Sequence, residues 1–494
     1  MLLSDLSKME LWPAANWRAF AKMLREAGLT PPRVSPIVEK TAGVHPALRR
    51  PIRRHHLRAL SSPAGVLMRL FMFSEKVTAE EANEALGEWL PRVQSIGLLR
   101  TETEGEISCP FVLSLFNNLL LFSDELSHGG DAVIGFGEGT IELCRAALPT
   151  KPIESALDLG CGSGTAALLL SFAAKRVVAT DINPRALSLA RINAAMNSIA
   201  NVEFRLGSLF EPVQGEKFDV IASQPPFVPM PEGVHNATFL YGGSRGDELA
   251  LTVFSKVAEH LTPKGRAVFR VDWPLYGEIA LEDRLFQTIG SASDLVLVSA
   301  PTVSNEDHAS AYASGAHPLL DDAFDREAEQ RIEHLERHHI NGIVPSIVAV
   351  QKSDSKQGTA LRLPTVPFSK APVESVHIDQ LFAGIACNRN DRVLLSSTLR
   401  VPEKTILAQE QVGPGAEVES SLWARFADNA LGQPVQLTPD LLFLITCIHE
   451  ALDVRSGLES FAEQSEIALD HAVNQALPAV RHAVKTGLLH VVVA

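Results

Sequence analysis

Apolar and polar residues alternate with two different periods along the middle of the chain. Between residues 130 and 353, short apolar runs of strand length alternate with stretches in which apolar residues recur at helical spacing. This pattern predicts a doubly wound α/β domain with a mainly parallel sheet. Strands are predicted at 155–159, 176–180, 202–206, 218–223, 266–272, 295–299 and 343–350, and helices at 164–174, 184–197, 247–260 and 275–289.

Further domains are predicted on both sides of this block. Residues 1–129 combine helical patterns with two short apolar runs split by a polar turn, which predicts a winged-helix-like module that acts as a lid or a dimer contact. Its third helix carries a single arginine, Arg92, beside Glu88, which is too little positive charge for DNA binding. Residues 354–370 are polar and broken by prolines, so they predict a linker. Residues 371–494 predict a small α+β domain whose first strands are RVLLSS and TILAQEQV.

Composition narrows the classes of function. The 494-residue chain has a formal charge of −14, and such an acidic protein is a poor general binder of nucleic acid. Five dispersed cysteines without a CxxC pair favour a reducing compartment and no zinc site. The N-terminus lacks a signal-peptide pattern and no apolar run reaches the ~18 residues of a membrane span. We therefore expect a cytoplasmic protein without a membrane contact.

One polar helix lies within the long stretch 300–342 and predicts an insertion over the edge of the sheet. His334 and His338 are four residues apart on this helix and could share a metal ion. Because no third ligand accompanies them, a solvated helix face without a metal is the prediction.

A glycine-rich turn follows the first predicted strand of the central block. The strand ends at Asp158 and Leu159, and Gly160, Gly162 and Gly164 follow at alternate positions. Glycine tolerates positive φ and allows a ligand to approach bare backbone, while the amides of the next helix point to the same place. The turn therefore predicts a pocket for a nucleotide-like cofactor.

The type of cofactor depends on residues around that turn. The segment GSGTAA also satisfies the dinucleotide pattern G-x-G-x-x-A, so a nicotinamide enzyme is an alternative. Asp181 ends the second strand, where its oxygens can accept both ribose hydroxyl protons of either cofactor. Asp158 can face the cationic amino-acid end of S-adenosylmethionine, which favours that cofactor.

The fourth predicted strand, FDVIAS, ends in Gln224, Pro225, Pro226 and Phe227. Together with DLGCGSG, ATDINPRALSLARINAAMN, RLGSLFEP and YGGSRGDEL, this segment resembles the class I methyltransferases of the small-domain type. That group includes the release-factor glutamine methyltransferases and the ribosomal-RNA guanine-amine methyltransferases. The resemblance covers about residues 130–300 in five ordered motifs, and it implies a Rossmann-like sheet of seven strands whose last pair is antiparallel.

The resemblance also implies the roles of individual residues. In the group, an Asn or Asp stands where this chain has Gln224, whose extra methylene moves the amide by about one bond length. The implied catalytic residues are Gln224 as hydrogen-bond acceptor, Pro225 and the stacking ring of Phe227. The implied cofactor contacts are Phe136, Gly137, Thr140, Asp158, Gly160, Gly162, Gly164, Asp181, Ile182, Asn183, Ser208, Leu209 and Gln224. Substrate contacts are expected at Pro226, Phe227, Tyr241, Asp247 and Trp273.

The sequence thus predicts an S-adenosylmethionine-dependent methyltransferase that acts on a nitrogen of a small molecule or peptide. The acidic charge and Gln224 favour a small molecule over RNA. Alternatives are oxygen methylation of a small molecule, methylation of ribosomal RNA or protein, and a DNA-binding regulator that senses S-adenosylmethionine. A homodimer is a further expectation.

Overall fold

The computed structural model describes residues 5–40, 46–58, 62–124, 130–233, 239–317, 319–364, 367–411, 420–426 and 434–492. Its first part is helical and ends in two hairpins. The helices are α1 Ser7–Glu10, α2 Ala14–Glu26, α3 Pro31–Glu39, α4 Pro46–Arg58, α5 Pro63–Leu67, α6 Ala79–Leu86 and α7 Trp89–Ser95. The hairpins pair β1 Arg100–Thr101 with β2 Ile107–Ser108, and β3 Phe111–Phe116 with β4 Leu119–Asp124.

The central part alternates strands and helices as its hydrophobic pattern predicts. Its strands are β5 Ile153–Leu159, β6 Ala174–Asp181, β7 Val202–Leu206, β8 Phe218–Ser223, β9 Val228–Pro229, β10 Tyr241–Gly243, β11 Leu261–Pro274, β12 Ser293–Ser299, β13 Ile343–Lys352 and β14 Ala360–Pro364. Its helices are α8 Glu138–Ala147, α9 Thr165–Leu170, α10 Pro184–Met196, α11 Glu248–Val257, α12 Leu281–Ile289, α13 Asn305–Ala316 and α14 Asp322–Arg337.

Eight of these strands form one sheet in the order β14-β12-β13-β11-β8-β5-β6-β7. β13 runs antiparallel to both of its neighbours, and the other pairs are parallel. The order reverses between β5 and β8, so the carboxyl ends of these two strands form a switch point where ligands bind in such sheets. The Rossmann-like α/β fold is confirmed.

The structure corrects the expected linker at 354–370. Residues 360–364 form β14, which pairs in parallel with β12 and adds an eighth strand to the seven expected. Phe368 and Val373 are buried in the same apolar cluster as Ile347 of the sheet. This segment therefore belongs to the central domain because it covers a sheet edge and one of its faces.

The C-terminal part follows with the elements α15 Ser375–Cys387, α16 Asp391–Leu395, β15 Leu399–Arg400, β16 Thr405–Gln411, β17 Ser420–Phe426, β18 Val435–Leu437, α17 Pro439–Glu450, α18 Val454–Gln464, α19 Leu469–Lys485 and β19 His490–Val491. The segment RVLLSS, predicted as a strand, begins instead in α16. Asn390 caps this helix by accepting a hydrogen bond from the Val393 amide at 2.8 Å. This local cap outweighs the β-propensity of the short apolar run.

The N-terminal part shares its core with the central domain. Ala186, Leu189, Ile192 and Met196 of α10 are buried in the same apolar cluster as Trp17. The five cysteines are buried free thiols. Within the described ranges, no helix has both the length and the apolar character needed to cross a membrane.

Candidate active site

A cavity with two adjoining lobes opens at the carboxyl ends of β5, β6 and β8. We call them the Asp181 lobe and the Asp158 lobe, after the carboxylate that lines each one. The residues lining both lobes are Ile134, Gly160, Gly162, Gln224, Pro225, Pro226 and Phe239. The glycine turn and the Gln-Pro-Pro segment, which are distant in sequence, therefore meet where the lobes join.

The glycine turn exposes its backbone to this cavity. Gly160, Gly162 and Gly164 have φ of 78°, 52° and 87°, in the left-handed region that glycine adopts at little cost. A Cβ at Gly160 or Gly162 would meet no atom within 4 Å, whereas one at Gly164 would lie 3.0 Å from the Cβ of Ala190. The first two glycines thus leave room for a ligand, and Gly164 allows α9 to pack against α10.

Asp158 binds the helix that follows the glycine turn and also lines the Asp158 lobe. Its Oδ2 accepts a hydrogen bond from the Ala167 amide of α9 at 2.7 Å, and the side chain is buried. Burial raises the pKa of Asp158 to about 7, and the charge of Asp181 adds to this rise. A cationic group in this lobe would favour the ionised form.

Asp181 lies at the end of β6, opposite the glycine turn. Oδ2 accepts from the Gly162 amide at 2.8 Å and Oδ1 from the Asn183 amide at 2.8 Å. Burial raises its pKa despite these amides. Each carboxylate oxygen keeps a second lone pair for a hydroxyl donor. Ile182, Asn183, Ser208 and Leu209 line the same lobe.

The segment after β8 brings Gln224 to the junction of the lobes. Its Oε1 accepts a hydrogen bond from the Thr140 hydroxyl of α8 at 3.1 Å. The carboxamide lies against Gly139, where an added Cβ would be 2.8 Å from Nε2. The longer side chain of glutamine therefore fits here because residue 139 has none.

Phe227 lines the Asp158 lobe and stands beside a buried cation. The Arg270 guanidinium lies 5.9 Å from the centre of the Phe227 ring. Arg270 donates to Glu142 at 2.6 Å and also pairs with Asp272. Although burial opposes the charge, these two carboxylates hold the pKa of Arg270 above its usual value. The Phe227 ring therefore lies beside a guanidinium group whose position is fixed by two carboxylates.

Residues 132–134 between β4 and α8, which we call the strap, close the other side of the cavity next to Phe136 and Thr140. Ala132, Val133 and Ile134 line the Asp181 lobe, and Phe136 and Thr140 line the Asp158 lobe. Asp124 fixes the position of Val133. Its Oδ2 accepts a hydrogen bond from the Val133 amide at 2.9 Å and another from Arg185 Nε at 2.7 Å. The sequence identified Phe136 and Thr140 but not the strap, because residues 132–134 carry no motif.

Five expected site residues do not line the cavity, and the reasons differ. Gly137 precedes α8 and Gly164 packs inside the fold. Trp273 is fully buried in the core, with its ring 5.3 Å from that of Phe254. Asp247 accepts a hydrogen bond from the Tyr276 hydroxyl at 2.8 Å and is completely buried. Tyr241 accepts one from Arg331 at 3.1 Å. The structure thus places these five residues outside the lining of the two lobes, and their roles in binding stay predictions.

Two aromatic residues in the cavity were not identified from the sequence. Phe239 lines both lobes, and Tyr312 of α13 lines the Asp158 lobe. Tyr312 lies in the predicted insertion, and neither residue forms part of a motif. Only the path of the chain brings them to the site.

The helix expected to be solvated has one buried face. Arg331 and His334 of α14 are 3% and 2% exposed. His334 lies 2.6 Å from the Ser244 carbonyl oxygen through Nε2, and its ring contacts that of His338. In the part of the chain that the structure describes, no cluster of three metal-ligating side chains occurs.

Comparisons with known proteins bear on the central domain. Residues 138–287 match the family model described as "Methyltransferase small domain". The chain is 35% identical over 153 residues to a release factor glutamine methyltransferase of Koribacter versatilis, which covers 28% of this chain and 54% of the relative. It is 34% identical over 139 residues to a release factor glutamine methyltransferase of Aquifex aeolicus, with coverages of 26% and 48%. The chain thus spans about half the length of these curated relatives.

Among solved structures, a ribosomal protein L11 methylase from Lactobacillus delbrueckii subsp. bulgaricus aligns at 27% identity, covering 28% of this chain and 63% of that one. Its TM-score of 0.21 is too low to carry a conclusion.

The fold, the motifs around the cavity and these relatives define a class I, S-adenosylmethionine-dependent methyltransferase domain. More narrowly, residues 138–287 match the methyltransferase small domain. The resemblance that the sequence indicated is therefore confirmed, and S-adenosylmethionine is the cofactor of this class.

Proposed function

We propose that this protein transfers the methyl group of S-adenosylmethionine to the side-chain amide nitrogen of a glutamine in a protein or peptide. The observation that carries the proposal is the position of Gln224, Pro225 and Pro226 at the junction of the two lobes. A cofactor whose adenosine lies in the Asp181 lobe and whose methionine part reaches Asp158 would present its methyl group to an acceptor at this segment.

The Asp181 lobe suits an adenosine. Asp181 offers two lone pairs to the ribose hydroxyls, and the open space above Gly160 and Gly162 admits the rest of the cofactor against bare backbone. Asp158 offers a carboxylate to the ammonium group of the methionine part. When bound, the cofactor supplies an electrophilic methyl group on a sulfonium, so the protein has mainly to position the acceptor.

The part of the Asp158 lobe that Gln224 and Phe227 line suits a planar amide. An amide nitrogen is a weak nucleophile because its lone pair is delocalised, and hydrogen bonds from its two hydrogens can orient it. Gln224 Oε1 accepts one hydrogen bond from Thr140 and keeps a second lone pair for the acceptor. The backbone carbonyl of Pro225 can take the other hydrogen, and Phe227 provides a stacking surface.

The curated relatives favour the peptide over the small molecule that the sequence suggested. Both relatives described above carry a name that specifies a glutamine of a release factor as the methyl acceptor. Their aligned segments cover about half of each relative, so the acceptor of this chain is our proposal.

The experiment that tests this function uses the full-length chain, radiolabelled S-adenosylmethionine and peptides that differ at one glutamine. Label should enter the glutamine peptide and should not enter its glutamate counterpart. The Gln224→Ala variant should bind the cofactor normally by calorimetry and transfer at most about one hundredth of the label. Binding of NAD in place of S-adenosylmethionine, or equal labelling of both peptides, would contradict the proposal.

A further inference from the structure

Two buried arginines, Arg266 and Arg270, lie on β11, which pairs with β8 in the central sheet. They are 7% and 8% exposed, and their spacing along the strand places both on one face. A buried ionic group contributes little net stability, because the loss of hydration offsets the attraction between the charges. Two buried arginines on an interior strand therefore need an explanation other than stability.

Arg266 connects the sheet to the C-terminal part. Its guanidinium donates to the Asp379 carboxylate and, at 2.7 Å, to the Ser375 hydroxyl, and both partners lie on α15. In the sheet, Arg266 pairs with Val220, which lies within β8. This arginine is thus placed before the end of β8, and its partners belong to another part of the chain.

Arg270 lies at the level where β8 ends and the Gln-Pro-Pro-Phe segment begins. Phe269 pairs with Ser223, the last residue of β8, so the next residue on each strand is Arg270 or Gln224. The Arg270 guanidinium lies 5.9 Å from the centre of the Phe227 ring. A cation at this distance attracts the face of an aromatic ring. Arg270 therefore restrains the ring that we assign to the acceptor.

A second route leads from Arg270 to Gln224 through α8. Arg270 Nε donates to Glu142 of this helix at 2.6 Å. The same helix carries Thr140, whose hydroxyl donates to Gln224 Oε1 at 3.1 Å. A Cβ added at Gly139 would lie 3.5 Å from Arg270 Cγ and 2.8 Å from Gln224 Nε2, so both side chains pack over this glycine. The bond to Glu142 thus fixes the part of α8 that holds the Gln224 carboxamide.

Two carboxylates fix the guanidinium in turn. Glu142 accepts from Nε and Asp272 from Nη1, and each carboxylate is 15% exposed. The planar guanidinium meets both in one arrangement, which defines its position beside Phe227. Burial nevertheless raises the pKa of Glu142, so dehydration outweighs the attraction of Arg270 at this carboxylate. The ionic group fixes geometry at a cost in free energy.

We propose that Arg270 is a positioning residue for methyl transfer, which sets the Phe227 ring and the Gln224 carboxamide for the acceptor. Arg270 is not among the described residues that line the two lobes, so it acts through these two side chains. The inference rests on the proposed function, because it takes the Gln-Pro-Pro-Phe segment as the place where the acceptor is held.

The test compares two variants of the full-length chain. Arg270→Met leaves two buried carboxylates without their cation, so its urea midpoint should fall. A triple variant, with Glu142→Gln, Arg270→Met and Asp272→Asn, leaves no buried charge, so its midpoint should return close to the wild-type value. In both variants kcat for the glutamine peptide should fall by about ten- to a hundredfold, the usual cost of a shift of about 1 Å. Affinity for S-adenosylhomocysteine, measured by calorimetry, should stay within about twofold.

Arg266→Met is the matched control, because it removes a buried arginine from the same face of the same strand. Its carboxylate partner Asp379 is 44% exposed and can be hydrated. This variant should keep kcat within about twofold of the wild type.

A triple variant that recovers kcat together with stability would overturn the role of Arg270 and leave the proposed function standing. An equal loss of kcat in Arg266→Met, or a triple variant that does not fold, would do the same, because each would show that the buried arginines serve the fold alone. A wild-type chain that does not bind S-adenosylhomocysteine, or transfers no methyl group to the glutamine peptide, would contradict the proposed function and this inference with it.

Discussion

The side chain of Asn193 pairs with both backbone groups of Phe122. Asn193 Oδ1 accepts from the Phe122 amide at 2.7 Å, and Nδ2 donates to the Phe122 carbonyl oxygen at 3.0 Å. Nδ2 also donates to the Ser163 carbonyl oxygen at 2.9 Å. One fully buried carboxamide on α10 therefore connects β4 of the N-terminal part to the glycine turn of the cofactor site.

This connection predicts that Asn193→Ala affects both stability and binding. The change leaves buried backbone groups of Phe122 and Ser163 without partners, so it should lower the free energy of unfolding by about 2–4 kcal/mol. The glycine turn also loses a support, so cofactor affinity should fall several-fold. Urea denaturation and calorimetry measure the two effects.

Asn197→Ala is the control for this prediction. Asn197 pairs with the amide and carbonyl of Leu120 on the same strand, at 3.0 and 2.8 Å, and its side-chain hydrogen bonds to described residues do not include Ser163. It should destabilise the fold and leave cofactor affinity unchanged. Equal loss of affinity in both variants would show that the effect is general unfolding.

Gly139→Ala should impair methyl transfer through Gln224. The new Cβ would lie 2.8 Å from Gln224 Nε2 and must displace the carboxamide. Because a shift of about 1 Å can cost roughly a hundredfold in rate, kcat should fall by about ten- to a hundredfold while cofactor affinity is retained. In Gly137→Ala, two residues away, the added Cβ meets nothing within 4 Å, so this variant should keep its activity.

Asp181→Ala should abolish measurable cofactor binding, whereas Gln224→Ala should not. Removing the carboxylate takes away the proposed acceptor for the ribose hydroxyls and also leaves the amides of Gly162 and Asn183 without this partner. Two hydrogen bonds to a charged group, at about 1.5–3 kcal/mol each, correspond to a loss of affinity above a hundredfold. A calorimetric titration that gives the same affinity for both variants would contradict these separate roles.

Asp158 should make the stability of the ligand-free protein depend on pH. Its pKa is about 7 in the fold against the usual 3.8, so the folded state holds a proton that the unfolded chain releases. Stability should therefore fall as the pH rises from about 4 to 7, by at most about 4 kcal/mol, and then stay level.

Asp158→Asn should remove this dependence because asparagine does not titrate and keeps an oxygen for the Ala167 amide. At pH 8 the ligand-free variant should be more stable than the wild type, although it should bind S-adenosylmethionine more weakly. Urea denaturation at pH 4.5 and pH 8 measures the first effect. A variant that is less stable than the wild type at pH 8 would refute the assignment.

The sequence by itself determined seven of the eight strands of the central sheet and predicted the cofactor half of the site. The strand Ile153–Leu159, the turn Gly160–Gly164 and Asp181 are local features, because the period of two, the glycines and the strand-end carboxylate each appear within a few residues. Gln224 and Phe227 were found in the same way, since they immediately follow a strand.

The tertiary structure alone decided which distant residues complete the site. Tyr312 and the strap at 132–134 line the cavity because packing brings them there. Trp273, which was expected to contact the substrate, does not line it because its side chain is buried in the core. The fit of Gln224 depends on Gly139, which lies 85 positions earlier in the chain. Such contacts join residues of large sequence separation, so no local period or motif encodes them.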